Sequence, residues 1–414
     1  MYYCGIDIAK YKHEATVIDD AGKPLLDSIS FSNTQEGCEK LLGLFERLSV
    51  SIDNLLIGME ATGHYWLSVY SFLLEKGYDV KVINPIQSDA FRKMYIRQTK
   101  NDSKDSFIIA QIMRFGQFSA TTLSEENIVA MRQLSRYRLS LVDACGDCKR
   151  RVIALLDQIF PEYDRLFSDT FGSSSKEVLA NYPTPEDMLS VSTRKLANLL
   201  EKTSHGRFGR EKAEELKQAA ASSFGVSFAK DALAFQIKQL IEQLDFLENQ
   251  IEELEEQLSS LLKETNSFIT TIPGIGDTLG AIILSEIGDI HRFDAPNKLV
   301  AFAGLDVRVT QSGEFIGTRQ KISKRGSPYL RRAIWLAATR AAFCDPILSE
   351  YYQSLRARGK HHITAIGAVS RKLCNIIFTI LREDRPWKTD YKWQCILHRH
   401  TLRYIRFHRS VLQS

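Results

Sequence analysis

Residues 1–31 read MYYCGIDIAKYKHEATVIDDAGKPLLDSISF, and their alternation decides how the amino-terminal part folds. YYCGIDIA predicts a strand, KYKHE a turn and ATVID a second strand. AGK supplies another turn before a third strand, PLLDSISF. Three short strands joined this way suit an antiparallel meander. Working outward, TQEGCEKLLGLFERL carries the apolar spacing of an amphipathic helix, with Thr34 as its N-cap. NLLIGME predicts a buried strand, YWLSVYSFLLEKG a helix ending at Gly77, and DVKVIN a strand stopped by Pro85. A further helix is expected from about Asp102 to Phe115. Three strands followed by alternating helix and strand make an α/β layered domain.

The chain has 414 residues, enough for two or three domains, and its 44% hydrophobic content supports sizeable cores. No run of about 18 apolar residues exists, and the start does not read as a signal peptide. A soluble, cytoplasmic protein is expected. The seven cysteines form no secreted framework. Cys145 and Cys148 make a CxxC with no second pair at zinc-finger spacing, and both fall in a helical pattern, so core packing is the expectation. Net charge is only +4 but unevenly spread. Thr318 to Arg332 (TRQKISKRGSPYLRR) holds six basic residues, Arg319, Lys321, Lys324, Arg325, Arg331 and Arg332, and no acid. The tail from Arg385 onward is basic and aromatic as well. Such stretches point to a polyanionic partner, although many are only solvated surface.

The middle of the chain changes character. Leu233, Ile237, Leu240, Leu244, Leu247, Ile251, Leu254, Leu258 and Leu261 alternate spacings of four and three, a coiled-coil seam. Leu141, Cys145, Cys148, Val152, Leu155 and Ile159 repeat it upstream. Two long helices flanking an insert suggest an antiparallel hairpin or a dimerising coiled coil; packing inside one bundle fits the pattern equally well. The rest is mostly helical. Pro273-Gly274-Ile275-Gly276 resembles a helix–hairpin–helix turn whose N–H groups can face phosphate, though a plain tight turn explains it too.

Four carboxylates stand out. Asp7 lies mid-strand among apolar residues, where an unpaired charge is costly. Glu60 ends a strand, and carboxyl ends of strands are where open α/β sheets bind ligands. Asp102 and Asp105 are three apart, one helical turn, in TKNDSKDSF. Each has a structural reading of its own, such as a helix cap. Gathered at one sheet edge they would need a cation. Hard oxygen ligands select Mg²⁺ or Mn²⁺, and two such ions can clamp the attacking and leaving oxygens of a phosphodiester.

GIDIAK, GMEATGHYW, INPIQSDAFRKM and TKNDSKDSFIIAQIMRFG resemble the amino-terminal domain of the DEDD transposases of insertion sequences. IPGIGDTLGAIILSEIGDIHRF, AFAGLDVRVTQSGE and KISKRGSPYLRRAIWLAA resemble that family's carboxyl-terminal transposase domain. The resemblance covers nearly the whole chain, apart from the insert around 161–227 and the basic tail. It implies a RuvC-like, ribonuclease-H-like amino-terminal domain whose four acids fall on Asp7, Glu60, Asp102 and Asp105. It also implies a nucleophilic serine at Ser312, within QSGE. Where the family often has alanine between the last two acids, this chain has Ser103, which keeps the spacing. The residues themselves leave Ser312 open. A serine needs activation to attack, and a β-turn serine is the plainer reading. Gly313 beside it would let a DNA backbone approach. Ser323 and Ser327 are rivals.

The expected architecture is therefore α/β plus all-α. Residues 1–125 would form the RuvC-like domain and 126–265 the coiled coil with its insert. Residues 266–385 would form a mainly helical domain carrying the serine, and 386–414 a basic tail. The resemblance implies a metal-dependent DNA recombinase that cuts through a phosphoserine link. It implies donor and target DNA and a bridge-type non-coding RNA as partners, and a dimer or tetramer. The chain has no recognisable base-reading module, consistent with sequence being read by pairing. Two other readings use the same residues: a junction nuclease that activates water, and a nucleic-acid scaffold in which the acids are caps and surface charge.

Overall fold

Cys4, Gly5 and Ile6 at the centre of β1 (Tyr2–Asp7) are buried, as a strand covered on both faces requires. The computed structural model describes residues 1–61, 63–83, 85–92, 102–116, 120–121, 126–307, 311–312, 315–316 and 321–387. The chain divides into two compact units, Met1–Leu123 and Ser124–Ser414.

In the first unit, β1 pairs antiparallel with β2 (Lys12–Ile18), which pairs antiparallel with β3 (Pro24–Ser32). The chain crosses through α1 (Gln35–Arg47) to β4 (Leu55–Glu60), parallel to β1. It crosses again through α2 (Trp66–Glu75) to β5 (Asp79–Ile83), parallel to β4. After α3 (Pro85–Arg92) and α4 (Asp102–Phe115), the two-residue β6 (Ala120–Thr121) closes the sheet antiparallel to β5. The strand order is β3-β2-β1-β4-β5-β6.

One face of the sheet packs Cys4, Ile6, Ala15, Val17 and Ile57 against Cys38, Leu41 and Phe45 of α1 and Val69 and Leu73 of α2. The other face takes α4, through Ile108, Ile109, Ile112 and Met113. Thr34 caps α1, accepting the Gly37 N–H at 3.1 Å. The expected meander is present, but β2 starts at Lys12, inside the segment read as a turn. Pairing with strands on both sides, and burial of His13 against Phe31, override its polar composition. Pro85 ends β5 and also opens a helix, a position where its missing N–H costs nothing.

In the second unit, α5 (Glu126–Ile159) and α10 (Lys230–Glu264) form an antiparallel hairpin. Asn127 meets Glu264, Arg138 meets Glu255 and Lys149 meets Glu248, so one helix ascends as the other descends. The apolar seam of α10 is filled from within the chain: Leu244, Leu247 and Leu254 pack on Leu141, Cys145 and Cys148. Of the arrangements the spacing left open, the hairpin is the one present, and an interchain coiled coil through these residues is not. The hairpin also accounts for the CxxC, whose two thiols are buried there; burial pushes the Cys145 thiol above its usual range.

The insert forms a helical layer of its own: α6 (Ser173–Asn181), α7 (Pro185–Ser190), α8 (Thr193–Thr203) and α9 (Arg210–Ala221). Their core includes Tyr163, Val178, Leu196 and Leu216 and continues onto Val152 and Ile237 of the hairpin. The remainder comprises α11 (Asp277–Ile287), α12 (Pro296–Phe302) and the short pair β7 (Gln311–Ser312) and β8 (Phe315–Ile316). It ends with α13 (Pro328–Cys344), α14 (Pro346–Ala357) and α15 (His362–Glu383). Helix α15 is long and apolar enough to cross a membrane, yet Ala365, Ile366, Val369, Leu373 and Ile377 are buried in this core. Gly274, at φ +90°, explains the PGIG turn as packing. A Cβ there would lie 2.8 Å from the Ala337 carbonyl oxygen of α13. The basic tail from 388 onward lies outside the described residues.

Candidate active site

Side chains two apart on a strand share a face. A Cβ on Gly5 would meet the Ser106 oxygen and the Ala110 nitrogen of α4, so Asp7 faces the α4 side of the sheet. A Cβ on Gly58 would meet the Met113 side chain, so Glu60 faces that side too. The parallel register pairs Gly5 with Gly58 and Ile6 with Met59, which sets Asp7 beside Glu60 on neighbouring strands, roughly 5 Å apart across the sheet.

Helix α4 runs opposite to β1. Its carboxyl-terminal end reaches the β2–β3 turn, where Gln111 Nε2 donates to the Gly22 carbonyl at 3.2 Å. Its start therefore lies toward the strands' carboxyl ends. Two strand residues from Gly5 to Asp7 span roughly 7 Å, and the four helical steps from Ser106 back to Asp102 span roughly 6 Å. Asp102, the first residue of α4, and Asp105, one turn later and 7% exposed, thus flank the level of Asp7. Ser106 anchors the helix from beneath, its hydroxyl 2.7 Å from that of Thr16 on β2. Asp7, Glu60 and Asp105 thus come to one edge of the sheet, and the backbone of Asp102 opens α4 at that same edge. Among the described residues no three such side chains form a closed, preformed cation cage. The donors present are carboxylate and hydroxyl oxygens, which suit Mg²⁺ or Mn²⁺ rather than softer metals.

Two residues of this edge escaped the sequence reading. Buried Ser88 of α3 lies 2.6 Å from Glu60 Oε2 and 2.9 Å from the Pro85 carbonyl oxygen. Glu14, directly opposite Asp7 in the β1–β2 register, accepts the Ser28 hydroxyl at 2.6 Å. The signals were present: proline at the first position of a helix for Ser88, and for Glu14 a strand hidden inside a polar run.

Ser312 belongs to the second unit. It is the last residue of β7 and pairs with Phe315 of β8; Gly313 is outside the described residues. Its two rivals are engaged elsewhere. Ser323 donates its hydroxyl to Asp306 Oδ1. Ser327 caps α13 and donates to Glu286 Oε2 at 2.8 Å. Two histidines of this unit also serve the fold. His361 caps α15, and His362 Nδ1 lies 2.8 Å from the Tyr352 hydroxyl. Of the six basic residues, Lys321, Lys324 and Arg325 are exposed. Arg331 donates to the Ala303 carbonyl at 3.3 Å and Arg332 pairs with Asp143 at 2.7 Å. Arg319 lies outside the described residues.

Comparison with known proteins matches both halves. A DEDD transposase model of the IS110 type covers residues 4–161, and a model of the IS116/IS110/IS902 transposase family covers residues 266–353. The chain belongs to the IS110 family of transposases. The protein of insertion element IS110 from Streptomyces coelicolor is 23% identical over 386 residues, which is 92% of this chain and 94% of that protein. The pilin gene-inverting protein of Moraxella bovis is 25% identical, covering 93% of this chain and 97% of that one. The mini-circle putative transposase for IS117, also from S. coelicolor, is 26% identical, covering 88% and 89%. As a member of this family the chain is a DNA transposase or recombinase, an enzyme that cuts and rejoins DNA.

Proposed function

We propose that this transposase is an RNA-guided recombinase whose Asp7, Glu60, Asp102 and Asp105 hold Mg²⁺ or Mn²⁺ and whose Ser312 forms a covalent link to DNA. The observation that carries the reading is the shared edge: register sets Asp7 beside Glu60, and α4 brings the other two acids to the same level. The strand order, with β2 and β3 antiparallel and β4 and β5 parallel to β1, supports a ribonuclease-H-like, RuvC-like amino-terminal fold.

Bound at these oxygens, the cation would polarise a scissile phosphate. Ser312 attacks phosphorus with its hydroxyl oxygen and gives up its proton. One phosphorus–oxygen bond to deoxyribose breaks, and that oxygen leaves as an alcohol. The phosphoserine link keeps the bond energy for rejoining. Lys321, Lys324 and Arg325 hold backbone phosphates without reading bases. The bridge-type RNA pairs with donor and target DNA, and the chains act as a dimer or tetramer, one chain's acids beside another's serine. Helix α15, buried in its own core, is consistent with a cytoplasmic protein.

Trapping the reaction on duplex DNA tests this directly. A protein–DNA adduct that maps to Ser312 by mass spectrometry is expected. Ser312→Ala should bind nucleic acid yet lose adduct and cleavage together, and Asp105→Asn should lose cation binding and cleavage with the fold intact. Efficient cleavage by Ser312→Ala with no adduct would make the enzyme a water-using nuclease, and normal recombination by Asp105→Asn would remove the four-acid site.

A further inference from the structure

We infer that Glu14 is a fifth carboxylate of the cation site, held at its edge by Ser28, and that its charge raises the affinity of the site for a divalent cation. The inference rests on the proposed metal reading of Asp7, Glu60, Asp102 and Asp105. Glu14 lies on β2 directly across from Asp7. Directly opposed residues of an antiparallel pair share a face, with Cβ atoms roughly 5 Å apart. Glu14 is therefore on the α4 face, as Thr16 two residues on confirms through its contact with Ser106.

Like charges directly opposite in a ladder are destabilising. A chain that only needed a strand here would gain from a neutral residue. Glu14 is half-buried, and among the described residues it has no lysine or arginine partner. Its one hydrogen bond is from a neutral hydroxyl, Ser28 Oγ to Oε2 at 2.6 Å. That bond fixes one oxygen toward β3 and leaves Oε1 with its lone pairs unspent. The arrangement mirrors Ser88 on Glu60 two strands away. In each, a serine hydroxyl holds one oxygen of a glutamate at the sheet's carboxyl edge. A divalent cation is the partner that turns the Asp7–Glu14 repulsion into attraction, because each carboxylate then faces a double positive charge.

Titration of the full-length protein with Mn²⁺, followed by calorimetry, tests the role without reference to DNA cleavage. Glu14→Gln keeps an oxygen to accept from Ser28 and removes only the charge. It should weaken Mn²⁺ binding about tenfold. The thermal midpoint of the metal-free protein should hold or rise, since repulsion with Asp7 is gone. Glu14→Asp should retain most of the affinity, and Ser28→Ala should lose a few-fold as the carboxylate is released. A merely structural Glu14 would give the opposite: a lower metal-free midpoint and unchanged Mn²⁺ affinity, which overturns the inference. Asp7→Asn separates the two levels. If it abolishes binding while Glu14→Gln does not, only the role of Glu14 falls. If neither variant alters binding, the four-acid site falls with it.

Discussion

Replacing Gly5 by alanine should damage the proposed cation site from a position that bears no functional group. A Cβ at Gly5 would sit 2.0 Å from the Ser106 carbonyl oxygen and 2.3 Å from the Ala110 nitrogen. Both are backbone atoms of α4, so no side chain can swing aside. Ordinary contact needs about 3.5 Å, so the helix must retreat by roughly 1.5 Å or β1 must buckle. Overpacking of this kind costs about 1–3 kcal/mol, and the upper end is expected because the obstacle is a helix. The retreat also carries Asp102 and Asp105 away from Asp7 and Glu60. A misplacement of about 1 Å in a reacting site can cost about 10²-fold in rate.

Gly43 provides the control. It lies inside α1 with nothing within 4 Å of a new Cβ. Gly43→Ala should stabilise the chain by up to about 1 kcal/mol through helix propensity. Chemical denaturation followed by fluorescence, together with Mn²⁺ titration and a DNA-cleavage assay, reads all three effects. Wild-type stability and wild-type cation affinity in Gly5→Ala would refute the argument that α4 is pressed against β1 at this point.

Two further outcomes follow from the second unit. Placing lysine at both Leu247 and Leu254, each 8% exposed in the hairpin seam, should unfold the hairpin. The cost is about 3 kcal/mol or more for each site; loss of helicity by circular dichroism is expected, whereas a smaller mass in light scattering with full helicity would return the seam to an interchain role. Burial pushes the Glu248 carboxyl up, but hydrogen bonds from Lys176 and Lys149 outweigh it and hold the group below its ordinary 4.5. Its contribution to stability is complete above that value and is lost as pH falls through the lower folded value, so Glu248→Gln should flatten the acid side of a plot of thermal midpoint against pH, and an unchanged slope would show that the pair contributes nothing.

Much of this architecture was legible because it rests on patterns that survive without tertiary information. The α4 boundaries, Asp102–Phe115, follow from helical spacing and an acid at the helix start. Thr34 announces α1 in the same way. What escaped depends on neighbours. The segment KYKHE has the composition of a turn, and only pairing with β1 and β3 makes most of it a strand. The seam of α10 reads the same whether its partner is α5 or another chain, because a heptad specifies a face and not whose face fills it. Gathering the acids at one edge needed the register Ile6–Met59, which no local motif encodes. Glu286 is a similar case. It is 4% exposed, paired with Arg136 at 2.7 Å and bonded to Ser327. In the sequence it is one acid in an apolar helix.

The basic segment shows why charge counting alone overstates a binding surface. Six cations lie between Thr318 and Arg332, yet two already have partners in the chain: Arg331 donates to the Ala303 carbonyl, and Arg332 pairs with Asp143 at the surface. The described cations that remain exposed sit on a loop that is tied down closely. The Ser323 N–H donates to the Asp306 carbonyl at 2.8 Å, Lys324 to Gly304 at 3.1 Å and Ser327 to Phe302 at 2.9 Å. The Ser323 hydroxyl adds a bond to the Asp306 carboxylate. Lys321, Lys324 and Arg325 therefore extend from a backbone fixed against α12 and the turn after it. A loop ordered in advance loses little further backbone entropy when an anion docks, so its cations contribute more to affinity than the same charges on a free chain. The serines the sequence offered as rival nucleophiles thus have a definite use, holding the loop that presents the charge.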